Sequence, residues 1–265
     1  PDYSINTDDP TRWFPRLLAS LGPEDRLFTV SEHTKKDFLN FCPALPANQI
    51  TPVYNAVDSA IFYPGVDAAQ SRVVLRKYGI PEDKAFFLSV STLEPRKRLD
   101  AVLAAFGKLR RSGACGTLVL CGEDRQRYKS RLMRKIDEMA QSSVVFTGFI
   151  QDRDLRVLYC SCRAFIYLSE YEGFGLPVLE AMACGAPVIA ANRTSLPEVV
   201  GNAGFLVDPD DKAAVVEAME NLLVDEELWR RSAERSKERA GKFLWRKCAD
   251  VIISRMYDDR LSCSA

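Results

Sequence analysis

The segment from Glu172 to Glu180, EGFGLPVLE, carries the side chains of this chain that are best suited to chemistry. Gly173 and Gly175 permit a tight turn with positive φ, and Pro177 is favoured in the first turn of a helix. We therefore expect Glu172 on a loop and Glu180 about one turn inside the following helix. Backbone N–H groups at such a helix start attract an anion, and carboxylates bind hydroxyl groups. A sugar joined to a diphosphate is a ligand that needs both.

Three consecutive cations, Arg96, Lys97 and Arg98, follow a predicted strand and precede a predicted helix. Loops at the carboxyl ends of strands line the ligand crevice of open α/β sheets. Arg96 could bind a diphosphate through two hydrogen bonds, and Lys97 could bind it as a point charge. Taken alone, such a run is usually a solvated charge cluster. Its combination with the glycine-rich turn favours phosphate binding.

The composition excludes several classes of function. The 36 Lys and Arg residues balance 36 Asp and Glu residues, which gives no support to nucleic-acid binding. No apolar run approaches the roughly 18–20 residues that span a bilayer. The first residues lack the basic-then-apolar pattern of a signal peptide, so we expect none. The eight cysteines form no C-x-x-C pair, so we expect reduced, structural thiols in the cytoplasm and not disulfides or metal ligands. Because the chain begins with Pro1, we expect a fragment or a processed product.

Short apolar runs alternate with amphipathic stretches, and most of these runs are continuous, as is typical of parallel strands covered on both faces. They predict strands at 27–30, 50–54, 86–91, 117–121, 144–147, 164–168, 187–190 and 205–207. This alternation indicates an α/β fold with a Rossmann-like, doubly wound parallel sheet. Asp100 is expected to open one helix, and Ser195 with Glu198 has the pattern of a capping box at the start of another.

One domain boundary is predicted near the stretch from Asn55 to Gly65, which ends in Pro-Gly and has the composition of a linker. The residues before it hold at most two strands and two helices, too few for an independent core. We therefore assign 1–58 to the incomplete end of a preceding Rossmann-like domain and 59–242 to a nucleotide-sugar-binding domain. Residues 243–265 are assigned to a C-terminal helix that crosses back towards the first domain.

The cationic loop at 96–98 and the Glu172–Glu180 segment resemble the retaining nucleotide-sugar glycosyltransferases of the GT-B fold, family 4, also called glycosyl transferases group 1. Three further stretches share this resemblance: VSEHTKKD at 30–37, VYNAVD at 53–58 and LPEVVG at 196–201. The resemblance extends from about residue 27 to about residue 250, and its Glu-x7-Glu motif is highly specific. Such enzymes consist of two Rossmann-like domains that face each other across a cleft. The resemblance implies that this chain holds the C-terminal donor domain of a GT-B fold and the end of the acceptor domain.

The resemblance also implies roles for individual side chains. Glu172 would contact the donor sugar near its reacting carbon, Glu180 would bind the ribose hydroxyls, and Lys97 would hold the diphosphate. The family often has Gly-Arg where this chain has Ser91 and Thr92, so Arg96 would supply the missing charge.

The remaining implied donor-binding positions are backbone or apolar groups. Backbone amides would hold phosphate and sugar hydroxyls at three positions, Phe174, Gly175 and Leu176. A second segment would pack on the nucleotide base: Gly148, Phe149 and Ile150. Gly122 would allow the backbone to approach the ligand closely.

By this resemblance the protein is a retaining hexosyltransferase of polysaccharide biosynthesis. It would move mannose or glucose from a GDP- or UDP-sugar to a glycan or lipid-linked acceptor, without a metal cofactor and with the missing N-terminal domain as partner. The LEPRK loop favours the mannosyltransferase branch and GDP-mannose. Peripheral membrane association of the full-length protein stays open. Two alternatives remain: a nucleotide-sugar-binding module without turnover of its own, and a sugar-nucleotide epimerase of related fold.

Other titratable residues have simpler explanations. Asp152 and Asp154 form a D-x-D pattern that binds metal in a different glycosyltransferase fold, but here they precede an apolar run and fit a helix N-cap and first turn. The segment 208–211, DPDD, likewise predicts a turn and a helix cap. His33, the one histidine of the sequence, could act as a base. Its place early in a helix favours a surface or interdomain role.

Overall fold

The computed structural model describes residues 20–22, 25–43, 45–124, 127–136 and 138–262. These residues form two compact units. One contains the described residues up to Tyr54 together with those from Arg246 onward, and the other runs from Asn55 to Trp245. The boundaries expected from the sequence lay after residues 58 and 242. Within the described ranges, no helix combines the length and the apolar character needed to cross a membrane.

The first unit contains a two-stranded parallel sheet, in which β1 (Leu27–Thr29) pairs with β2 (Ile50–Pro52). Between them, α1 (Glu32–Phe41) begins after Ser31, whose Oγ accepts a hydrogen bond from the Thr34 N–H at 3.0 Å. A short 3-10 helix, Ala47–Gln49, leads into β2. The last helix of the chain spans Trp245–Ser262. Its Cys248 thiol donates a hydrogen bond to the Tyr54 carbonyl at 2.7 Å.

The second unit is built on a six-stranded parallel sheet. Its strands, β3 to β8 in chain order, are Phe86–Val90, Thr117–Cys121, Val144–Gly148, Ala164–Tyr167, Val188–Ala191 and Phe205–Val207. All eight predicted strands are therefore confirmed, with ends that agree to within about two residues. Every residue of β4, β6 and β7 is buried, which explains why their sequences are continuous apolar runs.

The helices of this unit fill the connections between strands. In chain order, α2 to α10 are Ala68–Lys77, Leu99–Arg111, Tyr128–Met133, Glu138–Gln141, Asp152–Ser161, Leu176–Ala183, Leu196–Val200, Lys212–Val224 and Glu226–Ala240. The core between the helices and the sheet is made of fully buried aliphatic and aromatic side chains, among them Phe87, Phe106, Leu118 and Leu120.

The strand order of this sheet is β5-β4-β3-β6-β7-β8, which confirms the doubly wound fold. The chain moves outward from β3 to β5 in one direction and from β6 to β8 in the other. At the centre, Phe87 of β3 lies opposite Ala164 of β6. The connections that follow β3 and β6 lead to opposite halves of the sheet, and doubly wound sheets bind ligands at the carboxyl edge beside such a switch point.

Two of the expected helix starts differ from the structure in detail, one in its first residue and the other in its capping bond. Helix α3 begins at Leu99, after Arg98 in a left-handed conformation with φ 51°, and Asp100 lies within its first turn. Ser195 precedes α8 with helical dihedrals, and its side chain makes no capping hydrogen bond. By contrast, Asp211 caps α9 as expected, because its Oδ1 accepts two backbone N–H bonds.

Candidate active site

Glu172 lies on the loop between β6 and α7, with only 13% of its side chain exposed. Its Oε1 accepts hydrogen bonds from Lys97 Nζ at 2.6 Å, Tyr167 Oη at 2.9 Å and Arg96 Nη1 at 3.2 Å. Lys97 Nζ also donates to Tyr167 Oη at 3.0 Å. A carboxylate, an ammonium group and a phenol thus form a triangle at the carboxyl ends of β3 and β6.

The two charges of this triangle depend on each other. Burial acts to raise the pKa of Glu172, but the attraction and hydrogen bond of Lys97 outweigh it and hold that pKa below its usual value. Burial lowers the pKa of Lys97, and Glu172 opposes this shift. Glu172 is therefore ionised at neutral pH because a cation lies beside it. Removal of either partner would leave the other charge buried with weaker compensation, since Glu172 would keep only the Arg96 guanidinium, at 3.2 Å, as its cation.

Arg96 and Lys97 belong to a 3-10 turn, Pro95–Lys97, that follows β3. Arg96 Nη2 donates to Glu94 Oε1 at 2.7 Å, and the Arg96 carbonyl accepts the Glu170 N–H at 2.9 Å. The loop after β3 is therefore hydrogen-bonded along its backbone to the loop after β6. These bonds set the spacing between the cations and Glu172.

Arg98, the third cation of the run, is bound elsewhere. Its guanidinium pairs with Glu170 and Asp210. Arg193, in the loop after β7, pairs with Glu170, Asp208 and Asp210. This network joins the loops that follow β3, β6, β7 and β8. Arg98 therefore acts as a structural connector, and the two cations beside Glu172 are Arg96 and Lys97.

The glycine-rich turn has the expected shape. Gly175 precedes α7 with φ 106°, and a Cβ at this position would lie 2.7 Å from Leu196 Cδ2. Helix α7 begins at Leu176; the Val178 and Leu179 N–H groups donate to the Gly175 carbonyl at 3.0 and 3.2 Å, and the positive end of the helix dipole faces the turn. Phe174 is buried and packs edge-on against Phe243, which leaves its backbone as the group nearest a ligand.

Glu180 lies one turn inside α7, as the sequence predicts. Its Oε2 accepts a hydrogen bond from the fully buried Tyr159 at 3.0 Å. Burial raises the pKa of Glu180 to about 7; the Tyr159 bond opposes this shift and the charge of Asp152 adds to it. Glu180 is thus a carboxyl group that can carry or lose a proton near neutral pH.

The two glycines at the ends of β4 and β5 lie side by side. Gly122 donates its N–H to the Gly148 carbonyl at 2.8 Å, and a Cβ on Gly122 would lie 1.8 Å from the Ser91 carbonyl oxygen. The neighbouring backbone therefore requires glycine at 122, whatever ligand approaches. Of the next two residues, Phe149 is 69% exposed and Ile150 is buried, so the Phe149 ring is the surface that a base could meet.

The other titratable candidates are accounted for by nearby contacts. Asp152, expected as an N-cap, is the first residue of α6, and Asp154 binds Lys77 Nζ at 2.6 Å and Tyr78 Oη at 2.9 Å. Among the residues that the structure describes, no group of three or more His, Cys, Asp or Glu could hold a metal ion. His33 Nε2 lies 3.4 Å from Asp37 Oδ2 on α1, in the first unit. The seven described cysteines are all free thiols, as expected: Cys42, Cys115, Cys121, Cys160, Cys162, Cys184 and Cys248.

Sequence reasoning missed several residues that build this site. Tyr167 is the last residue of β6, and the rule that ligands meet the carboxyl ends of strands would have found it. The same rule points to Thr194 and Ser195 after β7. Thr194 Oγ1 accepts the Glu172 N–H at 3.1 Å, and Ser195 Oγ donates to the Glu172 carbonyl at 2.9 Å. The capping-box pattern concealed this role of Ser195.

With this sheet and this site, the chain belongs to the glycosyl transferases group 1 family, whose model matches residues 71–239, and its fold is that of GT-B glycosyltransferases. It is 30% identical over 244 residues to the serotype-specific mannosyltransferase WbdA of Escherichia coli, an alignment that covers 91% of this chain and 30% of the relative. It is 32% identical over 257 residues to O-antigen chain mannosyltransferase B of Escherichia coli, covering 96% of this chain and 66% of the relative. The chain thus spans less than the full length of both.

Among solved structures, the chain is similar to sucrose-phosphate synthase from Thermosynechococcus elongatus. The TM-score is 0.76 and the sequence identity 26%, over 98% of this chain and 65% of that one.

Proposed function

We propose that this protein transfers a hexose from a nucleotide-diphosphate sugar to a glycan or lipid-linked acceptor, with retention of configuration. The observation that carries this proposal is the buried triangle of Lys97, Glu172 and Tyr167 beside the start of α7. It brings an ionised carboxylate, fixed cations and the amino-terminal end of a helix to one edge of the sheet. Transfer of a glycosyl group needs all three.

The chemistry follows from the charges that develop during the reaction. When the bond between the anomeric carbon and the phosphate oxygen breaks, positive charge grows on the sugar ring and negative charge on the diphosphate. Lys97, Arg96 and the amino-terminal end of α7 stabilise the diphosphate as its charge grows. Glu172, ionised through its pairing with Lys97, stabilises the ring.

Retention is explained by attack on the face from which the diphosphate departs. The acceptor oxygen forms the new bond to the anomeric carbon, and its proton passes to the departing phosphate oxygen. The leaving group therefore serves as the base, and the reaction needs no dedicated side chain for that role. The cationic groups supply the charge that a divalent ion provides in other transferases, so we propose a reaction without a metal cofactor.

The nucleotide would be held at the same carboxyl edge of the sheet, by residues at the end of β5 and by Glu180 of α7. Ribose hydroxyls would donate to Glu180, and the base would stack on the exposed Phe149 ring beside Gly148 and Ile150. Backbone amides would bind phosphate and sugar hydroxyls at Phe174, Gly175 and Leu176. The mannosyltransferase names of the two relatives favour mannose, with GDP-mannose as donor; UDP-glucose is the alternative.

The test compares GDP-mannose, UDP-glucose and ADP-glucose by thermal shift and calorimetry, then assays release of nucleoside diphosphate and formation of a glycoside. We expect one donor to raise the melting temperature and to be consumed, and the Glu172→Gln variant to bind it without turnover. Binding without release by the wild type would instead favour a binding module. Free sugar without a glycoside would favour an epimerase. If no nucleotide sugar binds, the proposal is wrong.

A further inference from the structure

The backbone of Glu172 is held by two side chains from a different loop. Its N–H donates to Thr194 Oγ1 at 3.1 Å, and its carbonyl accepts from Ser195 Oγ at 2.9 Å. Ser195 Oγ also lies 3.0 Å from the Phe174 carbonyl. Both polar groups of the Glu172 backbone, and one of Phe174, are therefore bonded to the loop that follows β7. In ordinary loops such groups are left to water or to local turns.

Thr194 adopts a conformation that its side chain disfavours. Its φ is 51°, in the left-handed region where a β-branched residue is rare. Residues in such conformations persist only where their surroundings hold them, and they cluster at functional sites. In this conformation Thr194 Oγ1 accepts the hydrogen bond from the Glu172 N–H. This contact accounts for the strained backbone at Thr194.

Ser195 makes hydrogen bonds to the Glu172 loop in place of a helix-capping bond. It occupies the residue before α8, where a serine side chain would ordinarily accept a backbone N–H, yet it makes no such bond. Its hydroxyl is completely buried and donates instead to the loop of Glu172. The local sequence favours a capping hydrogen bond for Ser195, but in the structure its hydroxyl bonds to the loop that carries Glu172.

The loop that carries these two residues is itself anchored. Arg193, which precedes Thr194, is paired with Glu170, Asp208 and Asp210. Leu196, which follows Ser195, is fully buried against Gly175. The residues on both sides of Thr194 and Ser195 are therefore fixed by ion pairs or by burial. This loop can in turn fix the position of the Glu172 loop.

We propose that Thr194 and Ser195 are positioning residues for the transfer reaction. They fix the Glu172 backbone, whereas Lys97 and Tyr167 orient its carboxylate oxygen, and both are needed to place that carboxylate against the sugar. This inference rests on the proposed function. It predicts that disturbing the pair affects the sugar and its transfer but leaves the nucleotide contacts of Glu180 and Phe149 intact.

The test uses Thr194→Val, which removes the acceptor, and Thr194→Gly, which removes it while relieving the strain of positive φ. Thr194→Ser keeps the acceptor, and Ser195→Ala removes the donor. The matched control is Ser236→Ala, because Ser236 is also fully buried and its hydroxyl has no partner among the described residues. For each variant, kcat and KM for release of nucleoside diphosphate, the Kd of the nucleoside diphosphate alone and the melting temperature are measured.

We expect Thr194→Val, Thr194→Gly and Ser195→Ala to lower kcat by about 10- to 100-fold, the range that follows from a small misplacement of a reacting group. For the two Thr194 variants the Kd for the nucleoside diphosphate should stay within about 2-fold of the wild type, as a loss confined to orientation requires. Ser195→Ala should also weaken this affinity, because it releases the Phe174 carbonyl. Thr194→Ser and Ser236→Ala should keep near wild-type kcat. Thr194→Gly separates positioning from stability best, because it should keep the melting temperature of the wild type and still have a lowered kcat.

Two results would overturn the inference. One is an unchanged kcat in folded Thr194→Gly and Ser195→Ala while Glu172→Gln is inactive; the proposed function would then stand and the positioning role would not. The other is a parallel loss of kcat, nucleotide affinity and melting temperature, which would mark a purely structural role. A wild-type protein that neither binds nor consumes any nucleotide sugar would reject the proposed function itself.

Discussion

Lys97 Nζ lies 2.6 Å from Glu172 Oε1, across 75 residues of sequence, and only 10% of the Lys97 side chain is exposed. The pair connects the turn after β3 with the loop after β6. Since both side chains are largely buried, the ionisation of each depends strongly on the other. The cation expected to bind diphosphate and the carboxylate expected to meet the sugar are therefore parts of one electrostatic unit.

Glu172→Gln should abolish transfer while the protein stays folded. The amide keeps the shape of the side chain but carries no negative charge for the sugar ring. We expect kcat for release of nucleoside diphosphate to fall by at least about 100-fold, the scale of losing one charge-stabilising group. The matched control is Glu94→Gln, which also removes a carboxylate bonded to Arg96 but leaves the Lys97 triangle intact. Equal losses in both variants would contradict the role of Glu172.

Lys97→Met should destabilise the protein in a pH-dependent way. In the wild type the pKa of Glu172 is lowered, so its stabilising contribution is present above the unfolded pKa of 4.5 and is lost as pH falls through the folded value. Without Lys97, burial raises the pKa of Glu172, and the free energy of unfolding at pH 7 should drop by about 3–5 kcal/mol.

Urea denaturation at pH 5 and pH 7 measures this effect. The loss in Lys97→Met should be smaller at pH 5, where Glu172 can take up a proton. The double variant Lys97→Met/Glu172→Gln should recover most of the stability at pH 7, since it leaves no unpaired charge. A loss that is equal at both pH values and persists in the double variant would show that packing, not charge, is responsible.

Glu180→Gln should stabilise the protein at alkaline pH. Because the pKa of Glu180 is raised from 4.5 to about 7, the folded state binds more protons than the unfolded state between these values, and stability falls as pH rises through that window. Above pH 7 the variant should therefore be more stable than the wild type by about 2–3 kcal/mol. The difference should vanish below pH 4.5. The same variant should weaken binding of the nucleoside diphosphate itself, in contrast to Glu172→Gln.

Gly122→Ala should destabilise the protein far more than Gly113→Ala. Both glycines have positive φ, 140° and 89°, but a Cβ at 122 would lie 1.8 Å from the Ser91 carbonyl oxygen, whereas a Cβ at 113 meets nothing within 4 Å among the residues described. We expect Gly113→Ala to cost about 1 kcal/mol through backbone strain and Gly122→Ala at least about 3 kcal/mol. Equal denaturation midpoints would show that the loop after β3 yields to the added methyl group.

The sequence was enough to predict the sheet and the residues at its edge. Strands such as β4 and β6 are buried on both faces, so their apolar runs are unbroken, and Lys97 and Glu172 lie in the loops after β3 and β6. What it did not show is which side chains meet. The pattern of Ser195 and Glu198 is compatible with a helix-capping bond and equally with a bond from Ser195 to a neighbouring loop. The position of the Glu172 loop, which the sequence does not show, determines which bond forms. Likewise, Arg98 is indistinguishable in sequence from Arg96, yet its left-handed backbone directs it to Glu170.

The central pairing of β3 with β6 also bears on the kinetics of folding. Phe87 and Ala164 are neighbours in the sheet although β4, β5 and their helices lie between them in the chain. Contacts of such long sequence separation form late, because the entropy of closing the loop must first be overcome. We therefore expect the β3–β6 pairing to form late in folding and to be lost early in unfolding. If a nucleotide sugar contacts both the loop after β3 and the loop after β6, it should mainly lower the rate of unfolding and change the rate of folding little.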